Sequence, residues 1–108
     1  MAVKAKHQQR PEDNPHVGEL ADLLRLLGDH SRLRVVLACS AGPLAVGDIA
    51  ARLGMGPSLV SHHLRLLKAA RLLKAERRGK QVFYVLADDH VRSVLSDLLD
   101  HAAEPHEE

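Results

Sequence analysis

The sequence predicts a mainly α-helical domain that carries a single β-hairpin, and two observations favour this fold class. Aliphatic residues recur at three- and four-residue intervals along most of the chain, which is the spacing of amphipathic helices. Between Leu72 and Leu86 this spacing is lost, and the β-forming run Val-Phe-Tyr-Val at 82–85 follows a turn at Gly79-Lys80. With 108 residues, one Phe, one Tyr and no Trp, the chain can form one domain with a modest aliphatic core.

The order of the elements follows from the apolar spacing and from the residues that interrupt it. We expect a first helix from Val17 to Leu27, ended by Gly28. Asp29 or Ser31 can cap a second helix, which Gly42-Pro43 ends. The later elements are a short helix, a longer helix, two strands and a terminal helix, expected at Val46–Leu53, Pro57–Ala70, Leu72–Arg78, Gln81–Leu86 and Asp88–Glu104.

The ends of the chain differ in composition from the part between them. Residues 1–15 are polar and aperiodic and are expected to form a disordered arm, residues 16–104 the folded domain, and residues 105–108 a flexible acidic tail. The net charge of +1 conceals an asymmetry. Residues 46–80 are strongly basic and residues 88–108 strongly acidic, which indicates a polyanion-binding surface beside a different function, such as cation binding.

The expected compartment follows from what the sequence lacks. No apolar run has the length needed to span a membrane, and no signal-peptide pattern opens the chain. The single cysteine, Cys39, cannot form an internal disulfide and lies in an apolar context, as a small buried residue would. We therefore expect a cytoplasmic protein.

The middle of the chain has the pattern of a helix-turn-helix. A short helix is followed by the tight turn Gly54-Met55-Gly56 and by Pro57, which is favourable at the first position of a helix. The second helix has an apolar face and an opposite face of short polar or basic groups, formed by Ser58, Ser61, His62, Arg65 and Ala69. An ordinary helical hairpin, the alternative, would usually have a more acidic or mixed exposed face.

The hairpin after this helix favours DNA binding. Arg77, Arg78 and Lys80 lie at its tip, where they can contact phosphate or the minor groove while the preceding helix enters the major groove. The sequence therefore predicts a winged helix-turn-helix that binds double-stranded DNA.

The terminal helix has an apolar face and a separate stripe of metal-binding side chains. His90 and His101 project from nearly the same side, but their separation along the helix axis is about 16 Å, too far for one metal ion. Asp88 with His90, and His101 with Glu104, can instead form two half-sites. Antiparallel pairing of two copies would complete two four-ligand sites, so the spacing implies a homodimer through the terminal helices. The alternative is that these side chains are solvated, with Asp88 or Asp89 acting as an N-cap.

Four parts of the sequence resemble the ArsR/SmtB family of bacterial metal-sensing repressors, over roughly Val17 to Glu104. They are the run Gly28-Asp29-His30-Ser31-Arg32-Leu33-Arg34, the run Val60-Ser61-His62-His63-Leu64-Arg65-Leu66-Leu67, the wing Arg77-Arg78-Gly79-Lys80 with Tyr84 after it, and the terminal pattern Asp-x-His-x10-His-x2-Glu. The last pattern is typical of the zinc-sensing branch, in which the matching residues bind metal across the dimer. Here it falls on Asp88, His90, His101 and Glu104.

The resemblance implies a transcriptional repressor that binds an inverted-repeat operator as a metal-free dimer and is released on binding Zn²⁺, which allows expression of metal efflux or sequestration genes. The residues implied to contact DNA are Ser58, Ser61, His62 and Arg65 in the major groove and Arg77 and Lys80 at the wing. In zinc-sensing relatives the residue matching His101 also hydrogen-bonds a backbone carbonyl, and the matching acceptor here is that of Arg71.

Several alternatives stay open. Two imidazoles and two carboxylates suit Zn²⁺ but also accept Co²⁺ or Ni²⁺, and His7, His16 or His106 could add ligands for a nickel or cobalt sensor. Family members that sense thiophilic metals have cysteines near the third helix, whereas residues 44–48 have none here. A regulator responding to a non-metal or thiol signal and a metal-storage protein are the competing functions. Motifs typical of enzymes are absent from the sequence, so we expect no catalytic activity.

Overall fold

The computed structural model describes residues 10–106. Five α-helices and one antiparallel hairpin follow one another along this part of the chain: α1 (Val17–Leu27), α2 (His30–Ala38), α3 (Val46–Leu53), α4 (Pro57–Ala69), β1 (Leu73–Arg78), β2 (Gln81–Leu86) and α5 (Asp89–Ala103). The mainly helical fold with a hairpin wing, predicted from the sequence, is confirmed. None of the helices in residues 10–106 combines the length and the hydropathy needed to cross a membrane.

Local signals position most of the helix ends. The Asp29 carboxylate accepts a hydrogen bond from the Arg32 backbone N–H, so Asp29 rather than Ser31 caps α2. After α2, a 3-10 turn at Cys39–Ala41 continues the chain to Gly42. At the other end of the domain, Asp88 caps α5 by accepting from the Val91 backbone N–H at 3.0 Å. The terminal helix therefore begins at Asp89, one residue later than predicted.

The segment before α1 differs in part from the predicted disordered arm. Residues 1–9 lie outside the described part of the chain. Pro11–Asp13, however, form a short 3-10 helix, in which the Asp13 N–H donates to the Arg10 carbonyl at 2.9 Å. Pro11 favours this turn because its φ angle is already fixed near the helical value.

The helix-turn-helix is built around one aliphatic core. The turn from α3 to α4 depends on Gly54, whose φ of 66° is in the left-handed region that favours glycine. The most buried side chains come from α2, α3 and α4, and the hairpin and α5 close the core from the other side: Val35, Val36, Cys39, Ile49, Ala50, Val60, Leu64, Leu67, Leu72, Leu73, Leu86 and Leu95.

The segment before α3 adds an isolated β-bridge to the two-stranded hairpin. Its register runs from Leu73 opposite Leu86 to Arg78 opposite Gln81 around a two-residue turn. Leu44 pairs with Tyr84 on the outer edge of β2: the Leu44 N–H donates to the Tyr84 carbonyl at 3.2 Å, and the Tyr84 N–H donates to the Leu44 carbonyl at 2.8 Å. The wing is therefore anchored to the segment that follows the 3-10 turn.

The turn after α4 contains a residue with an unusual backbone conformation. Arg71 has φ of 61°, a conformation that normally favours glycine. The Arg71 N–H donates to the Lys68 carbonyl and the Leu72 N–H to the Leu67 carbonyl, which is the pair of bonds that defines a Schellman ending. Because Leu72 belongs to this turn, α4 ends at Ala69 and β1 begins at Leu73, one residue from each predicted boundary.

Replacing Arg71 with glycine should stabilise the protein. The substitution removes the cost of the left-handed conformation, although glycine also raises the entropy of the unfolded chain, and we expect a net gain of about 0.5–1 kcal/mol. Urea unfolding at fixed protein concentration measures the change. Arg71→Ala removes the same side chain but keeps the Cβ atom, so it should show no gain. A less stable glycine variant would contradict this account.

Candidate functional site

The outer face of α4 presents the side chains that the sequence predicts for DNA contact. Ser58, His62 and Arg65 are exposed and Ser61 is half-buried, while the opposite face of the helix packs into the core. Pro57 occupies the first helical position. The N-terminal turns of this helix are therefore free to approach a partner surface, as in helix-turn-helix proteins that place this end in the major groove.

The basic residues of the wing fall into two kinds. Arg78 is engaged within the hairpin, because its Nη2 lies 3.3 Å from the Glu76 carboxylate and its guanidinium lies 5.2 Å from the centre of the Phe83 ring. Arg77 and Lys80 are exposed and have no ion-pair partner among residues 10–106. Arg77 and Lys80 are therefore the wing cations available to a phosphate backbone, and these are the two that the sequence analysis selected.

The four predicted metal ligands form two pairs at opposite ends of α5. The His90 Nδ1 atom lies 3.6 Å from an Asp88 carboxylate oxygen, and the His101 Nδ1 atom lies 3.6 Å from a Glu104 carboxylate oxygen. All four side chains are exposed. The Asp88 oxygen nearest His90 is also the oxygen that caps α5, so the N-cap keeps Asp88 beside the imidazole.

One chain does not bring the two pairs together. Their separation is fixed by the helical rise, about 16 Å between the two histidines. Within residues 10–106, no three His, Cys, Asp or Glu side chains are grouped closely enough to hold one metal ion. A chelating site therefore requires ligands from elsewhere, and each pair supplies a carboxylate and an imidazole, which are groups that bind zinc.

A groove connects the N-terminal pair with the end of α4. It has a volume of about 670 Å³, and Asp88 and His90 line it together with Arg71, Lys68 and Lys74. Arg71, whose carbonyl the resemblance implies as a hydrogen-bond acceptor, therefore lies in the same groove as one half-site.

The three histidines considered as additional ligands, His7, His16 and His106, lie in different parts of the chain. His7 lies outside the described residues. His16 immediately precedes α1, where its Nδ1 atom lies 2.8 Å from the Glu19 carboxylate. His106 is exposed at the end of the described part of the chain. Neither His16 nor His106 joins a group of three metal-binding side chains within residues 10–106.

An apolar surface runs beside the half-sites. The large hydrophobic side chains that α1 and α5 leave exposed are Val17, Leu20, Leu24, Val94, Leu98 and Leu99. A groove of about 280 Å³ between the two helices is lined almost entirely by aliphatic residues, including Leu24, Leu98 and Leu99. We call this surface the α1–α5 face. Contiguous exposed apolar patches on soluble proteins commonly mark protein interfaces.

Cys39 is buried in the core, as its sequence context predicted. Burial raises the pKa of its thiol to about 11, and nearby Arg52 only partly opposes this effect. Because the thiolate is the reactive form, Cys39 is poorly suited to sense oxidants or soft metals in the folded protein.

His63 is a buried titratable residue that the sequence did not single out. Only 5% of its surface is exposed, and neither ring nitrogen has a hydrogen-bond partner among residues 10–106. Burial lowers the pKa of His63, and the positive charge of Arg32 lowers it further, while Asp29 opposes this effect. The structure buries His63 and leaves the neighbouring His62 exposed.

Comparison with known proteins identifies relatives of the whole domain. The sequence profile described as bacterial regulatory protein, arsR family, matches residues 29–75. A transcriptional repressor SmtB homolog from Synechocystis sp. is 41% identical over 86 residues, which are 80% of this chain and 65% of that protein. The chain thus spans slightly less than two thirds of that relative. The HTH-type transcriptional regulator NmtR of Mycobacterium tuberculosis is 35% identical over 96 residues, or 89% of this chain and 80% of NmtR.

Solved structures have the same architecture. The solution structure of apo-NmtR superposes with a TM-score of 0.77 at 34% identity, covering 93% of this chain and 84% of that one. The homodimeric winged helix-turn-helix DNA-binding domain Mb0332 from Mycobacterium bovis, a possible ArsR-family regulator, gives a TM-score of 0.75 at 25% identity, covering 93% and 95%. These similarities confirm the winged helix-turn-helix architecture.

The burial of His63 predicts a loss of stability in mild acid. As the pH falls below about 6.5, the unfolded chain takes up a proton at this residue before the folded chain does, so His63 favours unfolding there. His63→Leu should therefore lose less stability than the wild type between pH 7 and pH 5. Urea unfolding at several pH values measures the slope. His62→Gln, at the exposed neighbour, should keep the wild-type slope, and an unchanged slope in His63→Leu would refute the assignment.

Proposed function

The chain belongs to the ArsR/SmtB family of bacterial regulatory proteins, and from this membership we propose that it is a metal-responsive repressor, released from operator DNA on binding Zn²⁺. Membership makes it a transcriptional regulator and not an enzyme, as the sequence predicted. The observation that carries the metal proposal is the placement of two acid–imidazole pairs at opposite ends of one exposed helix, beside an apolar surface.

The proposed active form is a homodimer joined through the α1–α5 face. Leaving several leucines exposed is unfavourable for an isolated chain, and a second copy would cover them. If the two α5 helices pack antiparallel, the Asp88–His90 pair of one chain meets the His101–Glu104 pair of its partner, and the dimer has two four-ligand sites. The homodimeric Mb0332 domain supports this assembly by similarity.

The ligand set suits zinc. Two imidazoles and two carboxylates, one pair from each chain, would hold Zn²⁺ in the dimer, and both kinds of group are common zinc ligands. Co²⁺ or Ni²⁺ would bind the same groups and could recruit additional ligands, for which His7, His16 and His106 are the candidates. With Cys39 buried and the segment before α3 without cysteine, a thiophilic effector is disfavoured.

The proposed DNA complex places α4 in the major groove and the wing on the backbone. Ser58, Ser61, His62 and Arg65 would face base edges and nearby phosphates, and Arg77 and Lys80 would contact phosphate or the minor groove. Genes for metal efflux or sequestration are the proposed targets, and the bacterial cytoplasm is the proposed place of action.

Metal and DNA binding are coupled in this proposal through the groove between α5 and the end of α4. An imidazole that binds metal commonly donates its other ring N–H to a carbonyl or carboxylate. His101 of the partner subunit, brought to Asp88 and His90, would enter the groove that Arg71 also lines. We assign the Arg71 carbonyl as its acceptor. Because Arg71 lies between the recognition helix and the wing, this hydrogen bond would favour one orientation of the DNA-binding unit.

The dimer proposal predicts that a charge on the α1–α5 face separates the chains. Leu98→Glu places a carboxylate on this face but, because Leu98 is half exposed in the single chain, should leave the fold intact. We expect a folded monomer by circular dichroism and sedimentation velocity. Leu59→Glu is the matched control, since Leu59 is similarly exposed but lies on α4. A dimeric Leu98→Glu protein would contradict the proposed interface.

The metal proposal is tested by operator binding. Fluorescence anisotropy with DNA from upstream of the protein's own gene should show that Zn²⁺ weakens binding by about 5- to 150-fold, the usual range of allosteric coupling. Co²⁺ and Ni²⁺ titrations identify the effective ion. His101→Ala should stay dimeric and bind operator with wild-type affinity, but should not respond to metal.

His106→Ala is the matched control for this experiment, because it removes a nearby exposed imidazole that lies outside the four-ligand set. It should respond to Zn²⁺ like the wild type. A normal response in His101→Ala, or operator that stays bound to the wild type with every ion, would refute the metal mechanism. A lost response in His106→Ala would instead indicate that the ligand set extends beyond the four residues.

A further inference from the structure

A long-range contact joins the first turn of α5 to the 3-10 turn that follows α2. The Arg92 guanidinium donates a hydrogen bond to the backbone carbonyl of Ser40, which is 52 residues earlier in the chain. The same side chain lies 3.9 Å from the Asp89 carboxylate on its own helix. Arg92 is two residues beyond His90 and four beyond Asp88, so the turn that carries one metal half-site also carries this contact.

The acceptor is connected to the wing. Ser40 belongs to the 3-10 turn at Cys39–Ala41, and its hydroxyl donates to the Leu37 carbonyl at 2.6 Å. Four residues after Ser40, Leu44 exchanges two backbone hydrogen bonds with Tyr84 of β2. A displacement of the 3-10 turn is therefore passed to the outer edge of the hairpin through a short segment of chain.

Arg92 lies opposite His90 on the helix. Residues two positions apart on an α-helix project about 200° apart. A force on His90 from a metal-bridged partner would thus act on one side of α5, while Arg92 anchors the other side to Ser40. The chain between β2 and α5 is short, and the Ala87 N–H donates to the Leu72 carbonyl at 3.0 Å. With one contact at this junction and a second at Arg92, a rotation of α5 would pull on segments that lead to both strands of the wing.

We propose that Arg92 is a positioning residue that transmits metal binding at the Asp88–His90 half-site to the wing through Ser40 and the Leu44–Tyr84 pair. This inference rests on the proposed metal-responsive function and adds a second connection to the one through the Arg71 carbonyl. It requires neither contact of Arg92 with metal nor contact with DNA.

The test compares two arginines that differ in one contact. Arg92→Gln removes the guanidinium that reaches Ser40. Arg25→Gln is the matched control, because Arg25 also pairs with an aspartate three residues earlier, Asp22 at 2.8 Å, but its side chain has no hydrogen-bond or ion-pair partner outside α1 among residues 10–106. For each full-length dimer, operator dissociation constants are measured with chelator and with saturating Zn²⁺, and their ratio is the coupling factor. Zinc affinity is measured separately without DNA.

In Arg92→Gln we expect the coupling factor to fall at least fivefold, while metal-free operator affinity and zinc affinity stay within about threefold of the wild type. Arg25→Gln should keep the wild-type factor, and Arg92→Lys, which retains the charge, should be intermediate. An unchanged factor in Arg92→Gln overturns the inference. A fall accompanied by a loss of zinc affinity of more than tenfold also overturns it, because Arg92 would then support the metal site itself.

A second readout does not require DNA. Zn²⁺ should change the hydrogen-exchange protection of the Leu44 and Tyr84 amides in the wild type and in Arg25→Gln, but not in Arg92→Gln. The same change in all three proteins would overturn the inference. If zinc neither binds the wild type nor releases its operator, the proposed function fails, and this result is distinct from failure at Arg92 alone.

Discussion

The rigidity of α5 is the constraint on which the rest of the molecule depends. A continuous helix between Asp89 and Ala103 fixes the two acid–imidazole pairs at opposite ends, so side-chain motion cannot bring them to one metal ion. Any shared site must therefore recruit a second chain. Three exposed apolar side chains of the α1–α5 face, Val94, Leu98 and Leu99, lie along the same helix. In the proposed dimer, this one element would provide part of the surface for association and also the groups that association brings together.

The same helix is also attached closely to the DNA-binding unit. It follows β2 after two intervening residues, and Arg92 connects its first turn to the 3-10 turn that follows α2. The outer face of α4 exposes Ser58, His62 and Arg65, whereas its inner face, including His63, is buried. One face of α4 is thus available to another molecule, and the opposite face holds the helix in the domain. The hairpin follows α4, and α5 follows the hairpin.

Sequence spacing was sufficient to predict the helices and strands, whereas the roles of the candidate site residues stay predictions. Apolar periodicity predicted the helices, Gly54 and Pro57 marked the turn before the recognition helix, and the β-forming run at 82–85 marked the hairpin. Three features depended on contacts between distant segments and had no periodic signal. These are the left-handed Arg71, which occupies a position where glycine would be expected, the orphaned imidazole of His63, and the Arg92–Ser40 contact. The metal ligands are intermediate, since their spacing is local but their completion depends on a second chain.

The energies involved explain how a few contacts could couple metal binding to DNA binding. Allosteric coupling between two ligands typically amounts to about 1–3 kcal/mol. A hydrogen bond that involves a charged group contributes about 1.5–3 kcal/mol, and exposure to solvent reduces this value. In the proposed mechanism, one bond from a metal-bound imidazole and one from Arg92 would therefore be of the right magnitude to change the preferred orientation of the wing. Because such coupling is reciprocal, operator DNA would weaken metal binding by the same factor under the proposed function. The metal concentration at which the protein responds would then depend on DNA occupancy as well as on the proposed ligands.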